Sequence, residues 1–270
     1  MREMSLSDIQ GFSMSILRQV DLFCRDNDIA YSLGYGALIG AIRHKDFIPW
    51  DDDIDLIMTR PNYMKFVQLF NQDKGNIDWG LKLYAPELGN SFFNITHICD
   101  MNKTRVRKYY QWTDEETGLW LDVFPLDSLP ADNGEKMREQ SSICYNVCGS
   151  KVPFSREFDL ERHLKIIRKK ILYGRYDRQV EIKKYLTMID HLPKYGETEY
   201  VCNVASPYGI KDIHKRNIFN DYLRAPFGEM EVSIISEFDT YLCALYGDYM
   251  QLPPLSARVR SHAVNRYFWK

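Results

Sequence analysis

The chain has 270 residues, 45% of them hydrophobic and 27% charged, with a formal net charge of −2. That is the profile of an ordinary globular protein with a substantial core, and its near-neutral total excludes a global attraction to nucleic acid. No apolar run approaches the roughly 20 residues that span a bilayer. The opening M-R-E-M-S-L-S-D lacks the apolar centre of a signal peptide, so the six cysteines are expected as reduced thiols of a cytosolic protein. Cys144 and Cys148 share a helix face, but no second pair completes a zinc set, which makes them packing residues.

In chain order, Ser7 and Gln10 have capping-box spacing, and Ile9, Phe12, Ile16, Val20 and Phe23 recur at helical steps, predicting a helix to about Asp26. Ile29 to Leu33 reads as a short buried strand running into G-Y-G-A-L-I-G-A-I-R-H, residues 34 to 44. Gly34 and Gly36 allow backbone amides to approach a ligand at a helix start, where the dipole favours phosphate. Gly-x-Gly is also a common tight turn, and neither the dinucleotide nor the P-loop spacing is met. Arg43 and His44 close this segment as phosphate contacts or as surface residues.

The informative stretch is I-P-W-D-D-D-I-D-L-I-M, residues 48 to 58. On an extended chain Asp53 and Asp55 leave one face while Ile54 and Leu56 point into a core. Two adjacent anions require a cation or a shared proton, and hard oxygen ligands suit Mg²⁺ or Mn²⁺. Asp52 beside them is assigned to substrate. A solvated acidic turn is the bland alternative. A calcium loop is the nearest rival, since Asp51, Asp53 and Asp55 open D-x-D-x-D, but Leu56 and Asn62 stand where it needs Gly and Glu.

Pro61 suits a first helical turn, with Tyr63, Phe66, Val67 and Phe70 on the apolar side. Strands are expected at Leu81 to Tyr84, Phe92 to Ile98 and Thr104 to Lys108. In G-L-W-L-D-V-F-P-L-D, residues 118 to 127, Asp122 is the one charge inside an apolar strand pattern. A buried carboxylate there needs a metal or a basic partner, and a third metal ligand is favoured over a simple ion pair. Asp127, after Pro125, reads as a turn residue.

From Ala131 the pattern turns helical. Residues 159 to 190 set Leu160, Leu164, Ile167 and Ile171 among many cations, either a solvated face or a peripheral contact with anionic lipid or a polyanionic acceptor. Tyr200 to Ala205 is a candidate strand, and Lys211, His214, Lys215 and Arg216 form a basic group that could meet phosphate or sit on a surface loop. A last helix, Ile235 to Tyr246, stops at Gly247, and the tail carries Arg258, Arg260 and His262. The expectation is one α+β unit, a mixed sheet flanked by helices, with a catalytic core at about 28–130 and a helical part from about 131 to 270.

On Y-G-A-L-I-G-A-I-R-H, F-I-P-W-D-D-D-I-D, L-D-V-F-P-L-D, Y-G-D-Y-M-Q-L-P-P and Ser261-His262, the chain resembles the LicD family, the phosphocholine transferases of bacterial surface polysaccharides, which are similar to the fukutin-related proteins. The resemblance implies a nucleotidyltransferase-type fold with a glycine motif at Gly34 and Gly36, an Asp-x-Asp at Asp53 and Asp55, and a third acid at Asp122. That fold usually shows Gly-Ser or Gly-Gly where this chain has Gly34-Tyr35-Gly36.

It also implies transfer of phosphocholine, or a similar alcohol phosphate, from CDP-choline or a related CDP-alcohol to a sugar hydroxyl, with release of CMP. The acceptor would be a glycan or lipid-linked oligosaccharide, a precursor of lipopolysaccharide or teichoic acid, met at the inner membrane face. Catalytic and metal roles fall to Asp53, Asp55 and Asp122, and substrate contacts to Gly34, Gly36, Arg43, His44, Asp52, Lys211, Lys215, Arg216 and His262. Tyr109, Tyr110, Trp112 and Trp120 are available to cage a choline head group. A glycosyltransferase with a metal-bound sugar nucleotide, and a scaffold that keeps the acids for ion pairing, stay open as rivals.

Overall fold

The computed structural model describes residues 2–72, 79–107, 112–154, 160–260 and 265–270. The first half runs α1 (Leu6–Asp26), β1 (Ser32–Leu33), α2 (Tyr35–Ile39), β2 (Asp55–Thr59), α3 (Arg60–Gln72), β3 (Leu81–Tyr84), β4 (Thr96–Asp100), β5 (Thr104–Arg107) and β6 (Trp120–Ser128). There follow α4 (Glu135–Ser150), α5 (Leu160–Tyr173), α6 (Arg178–Asp190), β7 (Tyr200–Cys202), β8 (Ile213–Lys215), β9 (Tyr222–Phe227), β10 (Met230–Ile235), α7 (Phe238–Tyr246) and β11 (Arg266–Trp269). The architecture is α+β, as the alternation of patterns predicts.

The main sheet is mixed, in the order β1-β2-β6-β4-β3, with β7 joined to the far end of β6 and β8 to β7. Within it β2 and β6 are parallel, while β4 meets β6 antiparallel. Leu56, Leu121 and Val123, fully buried, belong to one core with Phe23 of α1 and with Phe66 and Phe70 of α3. Phe23 meets Phe66 and Phe70 edge to face, holding the two helices side by side. Cys144 and Cys148 are buried on α4 as packing residues. Among the described residues no helix is long and apolar enough to cross a membrane.

Several boundaries differ from the sequence reading for identifiable reasons. The capping box of α1 is Ser5 with Asp8, since Ser5 Oγ accepts from Asp8 N at 3.1 Å and Asp8 Oδ2 from Ser5 N at 2.9 Å. β1 shrinks to two residues because Ile29 N is bonded to Cys24 O and Ala30 N to Asn62 Oδ1, off any ladder. β4 begins only at Thr96, as Phe92 N is spent on Trp112 O and Phe93 N on Ser91 Oγ.

Asp127 is corrected from a turn residue to a buried member of β6. Its two oxygens accept from Arg60 Nε and Nη2, each at 2.6 Å. The helical character expected from Ala131 is carried by α4, α5 and α6, from Glu135 to Asp190, with Asp177 capping α6. Beyond it strands return, including the β9–β10 hairpin around Gly228, whose positive φ of 57° suits glycine in the tight turn. Ile235 ends that hairpin, so α7 starts at Phe238.

Candidate active site

Asp55 and Asp122 are register partners on the adjacent parallel strands β2 and β6, and Asp122 N donates to Ile54 O at 3.1 Å. Neighbouring strands lie about 4.8 Å apart and side chains alternate between faces. With Ile54, Leu56, Leu121 and Val123 turned into the core, the same alternation sets Asp53, Asp55 and Asp122 on the opposite face. Burial, then Asp122, then Asp51 push the Asp55 carboxyl well above the ordinary carboxylate range. Asp53 is raised likewise, first by burial, then by Asp55 and by Asp51, with which it also shares a hydrogen bond.

Asp51, Asp52 and Asp53 each offer an oxygen within 4.8 Å of the others. Asp52 is already engaged, because its Oδ2 accepts from Arg260 Nε. The acid cluster therefore contains Asp51 besides the expected Asp53, Asp55 and Asp122. Extending the i, i+2 rule one step back from Asp53 would have found it. A buried group of oxygen donors with two carboxyls pushed up by burial and by the charge of neighbouring carboxylates fits a hard divalent cation, which would relieve that repulsion.

The glycine turn lies against these acids. Gly34 N donates to Asp55 O at 2.8 Å, and a Cβ at Gly34 would come within 2.7 Å of Ile57 Cγ2. A Cβ at Gly36 would come within 2.8 Å of Asp51 Oδ2. Gly34 thus lets the turn touch the strand, and Gly36 gives the Asp51 carboxyl its place. Between them Tyr35 sits at φ 46°, an uncommon conformation for a bulky residue.

What holds Tyr35 there is a buried network: its hydroxyl donates to Asp212 Oδ2 at 2.7 Å and accepts from Asn203 Nδ2 at 2.9 Å, while Asp212 Oδ1 is 3.0 Å from His214 Nε2. Its ring meets Phe124 edge-on at 5.5 Å and stacks on Tyr208 at 5.7 Å, and the Tyr208 hydroxyl is 2.8 Å from that of Tyr246.

On the other flank of Asp122 stands His97 of β4, also its register partner. His97 Nδ1 lies 2.5 Å from Asp122 Oδ1, so the proton between them belongs on Nδ1, aimed at the carboxylate. The imidazole is buried between Trp112 at 4.3 Å, Trp120 at 5.8 Å and Phe93 at 6.0 Å, and its Nε2 has no hydrogen-bond partner among the described residues. Trp112 and Trp120, offered by the sequence as head-group aromatics, are walls of this histidine box. Tyr109, Tyr110 and His262 lie outside the described residues.

The cations are distributed differently from the sequence expectation. Arg43 donates through Nη1 to Tyr249 O at 2.5 Å and through Nε to His44 Nε2 at 3.0 Å. Its Nη2 has no partner among the described residues. Burial, then the Arg258 charge, lower the pKa of Arg43, and burial followed by Arg43 lowers that of His44. Arg258 lies over the Trp50 ring at 5.5 Å, so Arg43, Arg258 and Arg260 gather around residues 50–52.

The group after Lys211 disperses instead: Lys211 is exposed, Lys215 lies 3.8 Å from Glu199, and Arg216 buries an Nε without a partner among the described residues. His97 and Arg260 were not assigned from sequence. His97 carries no local signal, and Arg260 meets Asp52 only when the chain folds back across a sequence separation of 208.

Three relatives are similar in sequence. The lipopolysaccharide cholinephosphotransferase LicD of Haemophilus influenzae is 27% identical over 280 residues, covering 99% of this chain and 99% of that one. An uncharacterized protein of Rickettsia typhi is 25% identical over 72% of this chain and 60% of its own length. Mannosyltransferase regulator 4 of Saccharomyces cerevisiae is 28% identical over 43% of this chain and 10% of its own. Residues 28–143, which carry the glycine turn and every acid of the cluster, match the family model described as LicD/FKTN/FKRP, nucleotidyltransferase domain, so this part of the chain is similar to the LicD nucleotidyltransferase domain.

Proposed function

We propose that the protein transfers phosphocholine, or a closely similar alcohol phosphate, from a CDP-linked donor to a sugar hydroxyl of a cell-surface glycan. The observation that carries this reading is the pairing of Asp55 with Asp122 across parallel strands, with Asp53 and Asp51 joining them. It is supported by full-length similarity to a relative named as a lipopolysaccharide cholinephosphotransferase.

Asp51, Asp53, Asp55 and Asp122 would hold Mg²⁺ or Mn²⁺, which when bound supplies charge neutralisation at the donor diphosphate. The rest falls to the chain itself. Asp122 keeps one oxygen bonded to His97, while Oδ2 has no hydrogen-bond partner among the described residues. Oδ2 takes the proton of the acceptor hydroxyl as that oxygen attacks the phosphocholine phosphorus. The bond from this phosphorus to the bridging oxygen breaks, and CMP departs with the electron pair.

Arg43 and Arg258 hold donor phosphate oxygens, Arg43 through the nitrogen that the Tyr249 and Gln251 carbonyls leave unused. Tyr208, 36% exposed and stacked on Tyr35, presents an electron-rich face to a quaternary ammonium on the same flank of the acids.

The test is nucleotide release by purified protein with Mg²⁺ or Mn²⁺, CMP from CDP-choline set against CDP or UDP from CDP- and UDP-sugars, for wild type, Asp53→Asn and Asp122→Asn. CMP release from CDP-choline that both substitutions abolish is the expected result. Turnover of a nucleotide sugar alone would make the protein a glycosyltransferase. Absence of binding or turnover of every donor by wild type would leave the scaffold.

A further inference from the structure

Helix α5 is amphipathic the wrong way round for a helix that belongs only to the protein interior. Leu160, Leu164, Ile167 and Ile171 fall at successive four-, three- and four-residue steps, one stripe of a helix surface. They point outward, with exposures of 75%, 57%, 41% and 75%, and Leu172 beside them is 49% exposed. The inner side is built from Ile166, 1% exposed, and from lysine stems. Lys169 Nζ lies 4.3 Å from the centre of the Tyr145 ring on α4, and Lys170 Nζ donates to Ser150 O at 3.1 Å. Apolar side chains thus face solvent while two lysines face the protein.

The charge around the stripe indicates what covers it. Residues 160 to 175 carry six cations, Arg162, Lys165, Arg168, Lys169, Lys170 and Arg175, against the single carboxylate Glu161, a local excess of five in a chain whose total is −2. Lys165, Arg168 and Arg175 are exposed on the outer side with the apolar residues, and Lys165 is 2.6 Å from Glu161. A second copy of this chain would bring the same positive face against itself, which opposes association. A surface combining apolar depth with negative head groups satisfies both features.

We propose that α5 docks the protein on an anionic lipid bilayer, lying in the plane of the interface. Leu160, Leu164, Ile167 and Ile171 enter the boundary of the acyl chains, and Lys165, Arg168 and Arg175 meet head-group phosphates. This docking is independent of which group the enzyme transfers. It requires a peripheral contact, not a span.

The experiment is co-sedimentation of the full chain with vesicles of mixed phosphatidylglycerol and phosphatidylcholine, and with vesicles of phosphatidylcholine alone. Wild type, Leu164→Glu combined with Ile171→Glu, and Arg168→Glu are compared, with circular dichroism and light scattering on each. Because these side chains are exposed, the variants keep the wild-type melting curve. The expected result is binding to the anionic vesicles that weakens with salt, falls about tenfold or more in the double glutamate variant, and falls more modestly in Arg168→Glu.

Equal binding by wild type and variants, or none by wild type, overturns the proposal. A wild-type dimer that the glutamates convert to monomer, with no vesicle binding, also overturns it and makes this face a protein interface.

Discussion

His97 Nδ1 lies 2.5 Å from Asp122 Oδ1, joining register partners of β4 and β6, and among the described residues no other hydrogen bond holds the imidazole. Three aromatic rings keep it in place, so its one polar task is to donate to Asp122. His97→Leu removes that donor. In such supporting positions the cost is about 10–100-fold in activity or metal affinity, here expected in kcat with KM little changed. Asn places an amide donor near the former Nδ1 and should regain most of the loss. Steady-state kinetics of the two variants checks this, and a Leu variant as active as wild type would remove the positioning role.

The raised carboxyls of Asp53 and Asp55 make a signed prediction about pH. A carboxyl whose folded pKa lies above its unfolded value of about 3.9 binds its proton more tightly when folded. The metal-free protein is therefore most stabilised by these groups below that pH, and loses the contribution as pH rises through their elevated folded values. Added Mg²⁺ or Mn²⁺ should raise the melting temperature more at pH 8 than at pH 5. Asp53→Asn should raise the metal-free melting temperature by about 2–4 °C, the scale of roughly 1 kcal/mol in a chain this long, and abolish the metal increment. Thermal melts across pH with and without metal test both signs.

The two glycines of the turn should respond differently to alanine. At Gly34 the new Cβ meets Ile57 Cγ2 at 2.7 Å inside the core, where overpacking costs about 1–3 kcal/mol. At Gly36 it meets Asp51 Oδ2 at 2.8 Å, a side-chain oxygen that can swing aside. Gly34→Ala should lower stability measured by denaturant titration. Gly36→Ala should leave stability nearly intact while weakening Mn²⁺ binding, as read by calorimetry.

Arg60 joins Asp127 by two hydrogen bonds of 2.6 Å and Glu87 by a third of 3.0 Å, with Tyr63 also bonded to Glu87. Asp127 burial leaves little water to replace a lost partner. Asp127→Ala should cost about 3–5 kcal/mol through the uncompensated Arg60 charge. Replacing Arg60 and Asp127 together by Met and Leu should cost far less. A double-mutant cycle in urea measures the difference.

Much of this molecule is legible along the chain. The helical spacing of Ile9, Ile16, Val20 and Phe23 marks the buried face of α1, and the alternation through Asp53, Ile54, Asp55 and Leu56 separates the acid-bearing side of β2 from the apolar one. Asp127 misled because Pro125 suggests a turn, whereas Pro125 and Asp127 both remain in β6 and the charge is answered by Arg60 from α3. The basic group Lys211, Lys215 and Arg216 reads equally as a phosphate contact or a surface loop, because sequence proximity does not fix spatial proximity. In the structure Lys211 is exposed, Lys215 is engaged with Glu199, and Arg216 has its Nε buried.

By itself the sequence determined the α+β pattern, the pair Asp53 and Asp55 on one strand face, and Asp122 as a charge requiring company, because strand and helix periodicities are local properties of the backbone. Only the tertiary structure decided who supplies that company. The register of β2 against β6 and of β6 against β4 sets Asp55 and His97 on either side of Asp122, and the folded-back tail gives Arg260 to Asp52. Register and chain reversal depend on how whole faces pack, and no run of neighbouring residues carries that information.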